Sequence, residues 1–417
     1  MPASSASYYR AAAVFLLNTL LFFLAANVVA YVVLWASGGL PPAPGSEAYE
    51  AARRSLLQLP TFRVGRFFPG YTDEQVARLM EESYARPPLY EPFTQFKERP
   101  WRGQFVNVDP NGFRHGKDQG PWPPDPHAVN VFVFGGSTTF GMGLPDDQTV
   151  PSNIQDVLAR RRPGVAVRVY NFGAGYYFST QERVQFEQLL LAGSVPDVAV
   201  FVDGLNGFFQ PDGVPALTSR LAGFLADPAP PRPHPYLDVV RQLPIGVAAT
   251  RVQAWATRRP LPSAAAAPPP GAEVPPGTVT PAERATIASV IARYLENKRM
   301  IEAVAAAHGV HAAFAWQPVP TYKYDLAHHA FHGEGFGRVA ITRAGYPEMA
   351  RVEQAGAGGA NFVWCADIQE GRREELYLDL VHYAPRMARR VAACIAKGLL
   401  HRHLLAKHTN APAAPTV

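Results

Sequence analysis

The fold is decided by one stretch, Val129-Asn130-Val131-Phe132-Val133-Phe134-Gly135-Gly136-Ser137-Thr138-Thr139-Phe140-Gly141. Six mostly β-branched or aromatic residues lead into two glycines and a serine. This pattern predicts a buried parallel strand that ends in a tight turn. Open α/β sheets gather functional side chains at the carboxyl ends of their strands, so Ser137 lies where a nucleophile is expected. The glycines beside it would let a substrate carbonyl approach the backbone closely.

A βαβ rhythm continues from this stretch. The patterns predict strands at 129–134, 166–171, 198–203 and 310–316, and helices at 152–162, 179–192 and 281–308. The helix at 179–192 opens with Ser179-Thr180-Gln181-Glu182, which has the pattern of a capping box. Strands that alternate with helices predict a three-layer α/β fold around a mostly parallel sheet.

Composition narrows the function classes. The 417 residues are 47% hydrophobic and 18% charged with a formal net charge of +5, which is typical of a globular protein and not of a nucleic-acid binder. Cys365 and Cys394 have no metal-binding spacing, so neither a metal nor a cofactor is predicted. Outside the cytoplasm the two could form one disulfide, but the sequence favours two unpaired, mostly buried thiols.

Residues 11–36 contain no charged side chain and exceed the ~20 residues that span a bilayer. Tyr31 and Trp35 near the end of this run suit a membrane interface. The run predicts a single transmembrane anchor; a cleaved signal peptide stays open as the alternative, because 25–30 is rich in small residues. Arg10 precedes the run and Glu47 and Glu50 follow it, which favours a cytoplasmic N-terminus at 1–10 and an extracytoplasmic body.

The remaining organisation follows from composition shifts. Residues 37–128 are predicted to be a juxtamembrane linker and an aromatic, proline-rich extension that packs on the following domain. The α/β domain is predicted to cover 129–400, with a Pro/Ala-rich insertion at about 208–281. Residues 401–417 are predicted to be a flexible tail.

Three further segments carry polar or glycine residues at predicted strand or helix ends. They are Tyr170-Asn171-Phe172-Gly173-Ala174-Gly175-Tyr176-Tyr177, Phe201-Val202-Asp203-Gly204-Leu205-Asn206-Gly207-Phe208 and Leu378-Asp379-Leu380-Val381-His382-Tyr383-Ala384-Pro385. Together with the Ser137 turn, in this order, they resemble the four blocks of the SGNH (GDSL-like) serine hydrolases over roughly residues 100–400. The Phe-Gly-Gly-Ser-Thr-Thr-Phe-Gly block is most similar to the bacterial membrane-anchored branch of that family.

The resemblance implies a three-layer, flavodoxin-like SGNH hydrolase fold and a set of site residues. Ser137 would be the nucleophile, His382 the general base and Asp379 the group that orients His382. The spacing of three residues lets Asp379 and His382 share one turn. The oxyanion donors would be the N–H of Ser137, the side-chain amide of Asn206 and the N–H of Gly175, with Gly173 as the alternative.

The sequence departs from the family pattern at three places. Gly136 replaces the aspartate of the usual Gly-Asp-Ser, and Gly207 replaces the last aspartate of Gly-x-Asn-Asp. An ungapped alignment from Asn171 places Tyr176 at the family's oxyanion glycine. All three departures leave the nucleophile, the base and the backbone donors possible.

The implied function is a membrane-anchored serine esterase of the bacterial inner membrane whose domain faces the periplasm and acts on an O-acyl substrate, such as an O-acetylated carbohydrate. Two alternatives stay open: an O-acyltransferase for a cell-surface polysaccharide, and a non-catalytic binding or scaffold protein of the same fold. Asp367 is a candidate substitute for the acid. Asp203 and Trp316 are interpreted as packing residues at strand ends.

Overall fold

A computed structural model describes residues 5–36, 64–218, 243–246, 248–249, 279–331 and 336–405. The chain divides into two compact units, one formed by Met1–Gln58 with Ala222–Pro269 and the other by Leu59–Leu221 with Pro270–Val417. Three parts of the predicted organisation lie outside the described residues: 37–63 of the linker and extension, most of the insertion between 208 and 281, and 406–417 of the tail.

The first unit contains helix α1 (Ser5–Ala36). Its segment Tyr9–Leu34 has a mean hydropathy of 2.2 and is long and apolar enough to cross a membrane, a test that a signal sequence also passes. Thr19 and Asn27 each donate a side-chain hydrogen bond to a backbone carbonyl one turn earlier, which satisfies these polar groups inside the apolar helix.

The second unit begins with elements from the predicted extension. These are α2 (Asp73–Tyr84) and two short antiparallel pairs, β1 (Leu89–Glu91) with β2 (Gln95–Lys97) and β3 (Trp101–Arg102) with β4 (Asn107–Val108). A capping box formed by Thr72 and Gln75 starts α2. Val76, Leu79 and Met80 of α2 are buried in the core of the α/β domain, so this helix packs on that domain.

Five parallel strands form the central sheet of this unit. They are β5 (Val129–Gly135), β6 (Val167–Gly173), β7 (Val198–Asp203), β8 (His311–Trp316) and β9 (Phe362–Trp364), in the spatial order β6-β5-β7-β8-β9. Because side chains alternate along a strand, the Val-Phe alternation of β5 gives the sheet two different faces. One face presents mostly valines and the other presents aromatic rings.

On the aromatic face, the strand registers align one phenylalanine from each strand: Phe172, Phe134, Phe201, Phe314 and Phe362. The ring centroids of the first four lie 4.9–5.6 Å apart between neighbours, with nearly parallel planes. Stacking and burial of these rings stabilise the register, because a shift by one residue would move every ring to the other face.

The helices of this unit are α3 (Ser137–Phe140), α4 (Val150–Arg161), α5 (Ser179–Leu191), α6 (Asn206–Phe209), α7 (Pro281–Ala307), α8 (Thr342–Gln354) and α9 (Pro385–His401). Helices α4 and α9 cover the valine face, and α5, α7 and α8 cover the aromatic face. The predicted α/β fold with a mostly parallel sheet is therefore confirmed. Most predicted strand and helix bounds agree with the observed ones within two residues.

Two local predictions were wrong. Helix α5 has no capping box: Phe178 is its N-cap residue, and the Phe178 side chain makes no cap hydrogen bond. Glu182 is instead fully buried and faces Asp203 at the end of β7. The prediction of a flexible tail is wrong for residues 401–405, since α9 runs to His401 and Leu405 is buried in the valine-side core.

The prediction of two unpaired thiols was also wrong, because Cys365 and Cys394 form a disulfide. Cys365 directly follows β9, and Cys394 lies on α9, which packs closely on that strand: a Cβ on Gly398 of α9 would lie 2.6 Å from a methyl group of Val363. This packing brings the two Cα atoms to 6.0 Å, within the range of a disulfide. The 29-residue spacing alone could not reveal that approach.

Candidate active site

The turn after β5 presents Ser137 at the carboxyl edge of the sheet. Ser137 is the first residue of the single-turn helix α3, which ends at Gly141 with φ +88°. The preceding Gly136 is required by close packing, because a Cβ there would lie 2.2 Å from the side-chain nitrogen of Asn206. The departure from Gly-Asp-Ser at this position thus makes room for the Asn206 amide.

The segment before α9 brings Asp379 and His382 to the same edge. The Asp379 carboxylate accepts hydrogen bonds from the N–H groups of Val381 and His382, at 2.9 and 2.8 Å, which folds the segment into a turn. Its other oxygen lies 2.6 Å from His382 Nδ1. His382 Nε2 lies 2.8 Å from Ser137 Oγ. The structure therefore brings these three predicted site residues together in one line of hydrogen bonds.

The charges of this line follow from its contacts. Burial raises the pKa of Asp379, but the charge of His382 and the hydrogen bonds from His382 and Val381 outweigh burial and hold that pKa well below its usual range. Asp379 is therefore an anion at neutral pH and can only accept hydrogen bonds. It follows that His382 Nδ1 carries a proton, so that in the neutral imidazole Nε2 is the acceptor that faces Ser137 Oγ.

Tyr84, at the end of α2, also contacts this line. Its hydroxyl donates to Asp379 Oδ2 at 2.9 Å, and its ring meets the ring of His382 edge-on at 5.9 Å between centroids. Burial and the Asp379 charge raise the pKa of Tyr84 well above its ordinary value, so the hydroxyl stays protonated. No pattern in the sequence points to Tyr84, because 295 residues separate it from Asp379.

Gln317, just after β8, links the nucleophile segment to the histidine segment. Its side-chain oxygen accepts from the Thr138 hydroxyl at 2.6 Å and from the Tyr383 hydroxyl at 2.9 Å. All three side chains are buried. Thr138 and Tyr383, which directly follow Ser137 and His382 in sequence, thus share the Gln317 oxygen as acceptor. Trp316 beside them is buried in the aromatic-side core, in agreement with its interpretation as a packing residue.

Asn206 lies beside the nucleophile turn at the start of α6. Its side-chain nitrogen donates to the backbone oxygen of Tyr177 at 2.7 Å, which fixes the orientation of the amide. That nitrogen carries two hydrogens, so one remains for another acceptor.

Neither glycine expected as an oxyanion donor has a free N–H. The Gly173 N–H donates to Asn171 Oδ1 at 3.0 Å, and the Gly175 N–H donates to Glu98 Oε1 at 2.9 Å. Tyr176 has the left-handed backbone conformation, with φ +64°, at the position where the family carries glycine. Among the residues that the structure describes, no acceptor pairs with the N–H of Tyr176 or of Ser137.

Asp203, interpreted above as a packing residue, and Asp367, the candidate substitute acid, both lie away from His382. Asp203 is buried next to Glu182 behind the Asn206 loop; burial raises the pKa of Asp203 to about 7 and also raises that of Glu182. Asp367 bonds to Lys323. It makes no contact with His382 in the described part of the chain, so it is not the acid of this site.

A cavity of about 1020 Å³ opens beside Tyr176. Its wall combines the apolar side chains of Phe208, Phe209 and Ile341 with the charged side chains of Asp212, Glu283 and Arg338. Among the described residues, no group of three or more His, Cys, Asp or Glu side chains is placed to hold a metal ion.

No family model matches this chain, and no curated protein matches it. Its similarity to a lipolytic protein of the G-D-S-L family from Desulfitobacterium hafniense is 8% in identity with a TM-score of 0.33, over 65% of this chain and all of the other. The lipase Lip_vut3 from a goat rumen metagenome is 9% identical with a TM-score of 0.38, over 65% of this chain and 97% of the lipase. A variant of the acetyl-xylooligosaccharide esterase Axe2 from Geobacillus is 13% identical with a TM-score of 0.35, over 66% of this chain and 93% of the esterase. TM-scores this low do not define an activity, which is inferred below from the side-chain geometry.

Proposed function

We propose that this protein is a serine hydrolase that cleaves acyl esters with Ser137, His382 and Asp379. The observation that supports this most directly is the continuous line of hydrogen bonds from the Asp379 carboxylate through both nitrogens of His382 to Ser137 Oγ. Nucleophile, base and orienting acid within hydrogen-bond reach are the arrangement that nucleophilic acyl transfer needs.

In the proposed reaction, Ser137 Oγ attacks the ester carbonyl carbon while His382 Nε2 takes the hydroxyl proton. The carbonyl π electrons move to oxygen and form a tetrahedral oxyanion. Collapse of this intermediate breaks the ester C–O bond, and His382 gives its proton to the departing alcohol. A water molecule, deprotonated by His382, then attacks the acyl-enzyme and releases the carboxylic acid and Ser137.

The proposed oxyanion donors are the N–H groups of Ser137 and Tyr176 and the second amide hydrogen of Asn206. This assignment replaces Gly175 and Gly173, whose N–H groups already have acceptors. The bond from Asn206 to the Tyr177 oxygen orients the amide before substrate binds. Donors preorganised in this way contribute roughly 3–4 kcal/mol each in acyl transfer.

The proposed location is the bacterial inner membrane, with α1 as a single span and the catalytic domain in the periplasm. The length and hydropathy of Tyr9–Leu34 support the span. The Cys365–Cys394 disulfide supports a compartment outside the cytoplasm, because cytosolic thiols are kept reduced.

The proposed substrate class is an O-acyl ester, such as an O-acetylated carbohydrate. A second candidate is an O-acyltransferase, in which a sugar hydroxyl of a surface polysaccharide replaces water as the acceptor. The cavity beside Tyr176 fits both candidates, because its aromatic and charged wall offers room and polar partners for the sugar of an ester or of an acceptor. The two activities differ only in what reaches the acyl-enzyme.

Hydrolysis of a short-chain aryl ester by the detergent-solubilised full chain tests the proposal. Ser137→Ala should lower kcat/KM about a thousandfold or more, because it removes the nucleophile. Ser194→Ala, at the turn after α5, is the matched control and should keep wild-type activity. If an added sugar acceptor accelerates acyl release and becomes acylated, the protein is the transferase. Absence of any turnover by the wild type would favour a non-catalytic scaffold.

A further inference from the structure

We propose that Tyr84, from the extension that precedes the α/β domain, is a positioning residue that completes the hydrogen bonding of Asp379 and so holds His382 in the orientation that Ser137 needs. This inference rests on the proposed function of the same site. Tyr84 acts through Asp379, since its hydroxyl bonds to that carboxylate and not to Ser137.

The first argument is the number of donors around the carboxylate. An ionised carboxylate offers about four lone-pair sites. Two are filled from its own turn by the N–H groups of Val381 and His382, and the third is filled by His382 Nδ1. The Tyr84 hydroxyl fills the fourth, and it is the only one of these donors from another element. Its loss would leave one oxygen of the anion under-satisfied.

The second argument is that Tyr84 is held firmly. Glu82, two residues earlier, is buried and accepts the N–H groups of Gln104, Phe105 and Val106, which fixes the end of α2 to the following loop. Gly143 makes room for the hydroxyl, since a Cβ there would lie 3.3 Å from the Tyr84 oxygen and 2.8 Å from Leu378. A hydroxyl placed this precisely orients the carboxylate at no further entropic cost.

The third argument concerns charge. Among the described residues, the titratable side chains bonded to the Asp379 carboxylate are those of His382 and Tyr84. The Tyr84 O–H withdraws negative charge from the carboxylate. Without it, the more basic carboxylate would stabilise the protonated imidazole of His382. Protonated His382 cannot act as a base, so the acidic limb of the pH–rate profile should move to higher pH.

The test is the rate of labelling of the full chain by a fluorophosphonate probe as a function of pH, which needs no knowledge of the natural substrate. Tyr84→Phe keeps the ring and removes one oxygen. We expect the maximal rate to fall about tenfold, as for the loss of a hydrogen bond to a charged group. The acidic limb of the pH dependence should move to higher pH. Tyr170→Phe is the matched control, because it removes a buried hydroxyl that donates to the Pro121 oxygen, away from this site.

A coupled variant separates positioning from simple stabilisation. In an Asp379→Asn background, Tyr84→Phe should change the labelling rate little further, because its effect passes through the carboxylate. An equal tenfold loss of labelling rate in that background would overturn the proposal. A Tyr84→Phe variant with the same maximal rate and the same acidic limb as the wild type would also overturn it. Failure of the wild type to label at all would instead reject the proposed function and this inference with it.

Discussion

Gln317 is the residue whose contacts best explain how Ser137 and His382 are kept in register. Its side-chain oxygen accepts from Thr138 and Tyr383, which are the neighbours of these two residues in sequence. Gln317→Leu should lower the free energy of unfolding by about 1–3 kcal/mol, because it leaves the buried Thr138 hydroxyl without its acceptor. It should also slow fluorophosphonate labelling. Urea denaturation and labelling rates measure the two effects.

Thr138→Val provides the control for this prediction, since it removes the donor of the same bond. The two substitutions share one interaction, so the double variant should be less destabilised than the sum of the single variants. If the loss of unfolding free energy in the double variant equals the sum of the two single losses within error, the bond between Gln317 and Thr138 contributes nothing of its own.

The site residues differ in how far the sequence could predict them. Ser137, Asn206, Asp379 and His382 were predicted because each lies in a recognisable block. Tyr84 and Glu98 were not, because the extension that carries them is distant in sequence from its partners. The choice of Gly175 as a donor failed for the same reason: only the fold places Glu98 against its N–H.

At the scale of elements, the start of α5 depends on a buried pair of carboxyl groups. Asp203 at the end of β7 accepts a hydrogen bond from the backbone N–H of Ser179 and faces Glu182 on α5. Burial raises the pKa of Asp203 to about 7 and raises that of Glu182 in the same direction. The pair therefore connects the strand before Asn206 to the helix after Tyr176.

The raised pKa values predict the pH dependence of stability. The folded state holds protons that the carboxyl groups of the unfolded chain release near pH ~4. The contribution of the pair to the free energy of unfolding is therefore fully present below that pH and is lost as the pH rises through about 7. Glu182→Gln should flatten the fall in unfolding free energy between roughly pH 5 and 8. Urea denaturation at several pH values measures this pH dependence of the unfolding free energy, with Glu187→Gln on the same helix as control. An unchanged slope in Glu182→Gln would contradict the prediction.

The elements were predictable where the pattern was strong. A run of β-branched and aromatic residues that ends in two glycines predicted β5, and the strand at 198–203 was predicted at its observed bounds. Strand β9 and helix α8 were not predicted. The strand has only three residues, and α8 contains Pro347, which in a sequence indicates a helix break. Tertiary packing on the aromatic face stabilises both.

At the scale of the whole molecule, the proposed extracytoplasmic orientation rests on the charges that flank the apolar helix and on the disulfide. A C-terminal alkaline phosphatase fusion should be active, because that enzyme requires export, whereas a cytoplasm-active reporter should be silent. Cys365 and Cys394 in isolated membranes should react with an alkylating reagent only after reduction. Activity of the cytoplasmic reporter alone would reverse the orientation. Release of the exported body from the membrane would favour a cleaved signal peptide.

The central claim is that Ser137 is an activated nucleophile. The measurement that tests it most directly is intact-mass analysis of the full chain after fluorophosphonate treatment, followed by peptide mapping. We expect a single adduct on the peptide that contains Ser137, and we expect it to be absent in Ser137→Ala and strongly reduced in His382→Ala. No adduct on the wild type, or an equal adduct on Ser137→Ala, would contradict the claim.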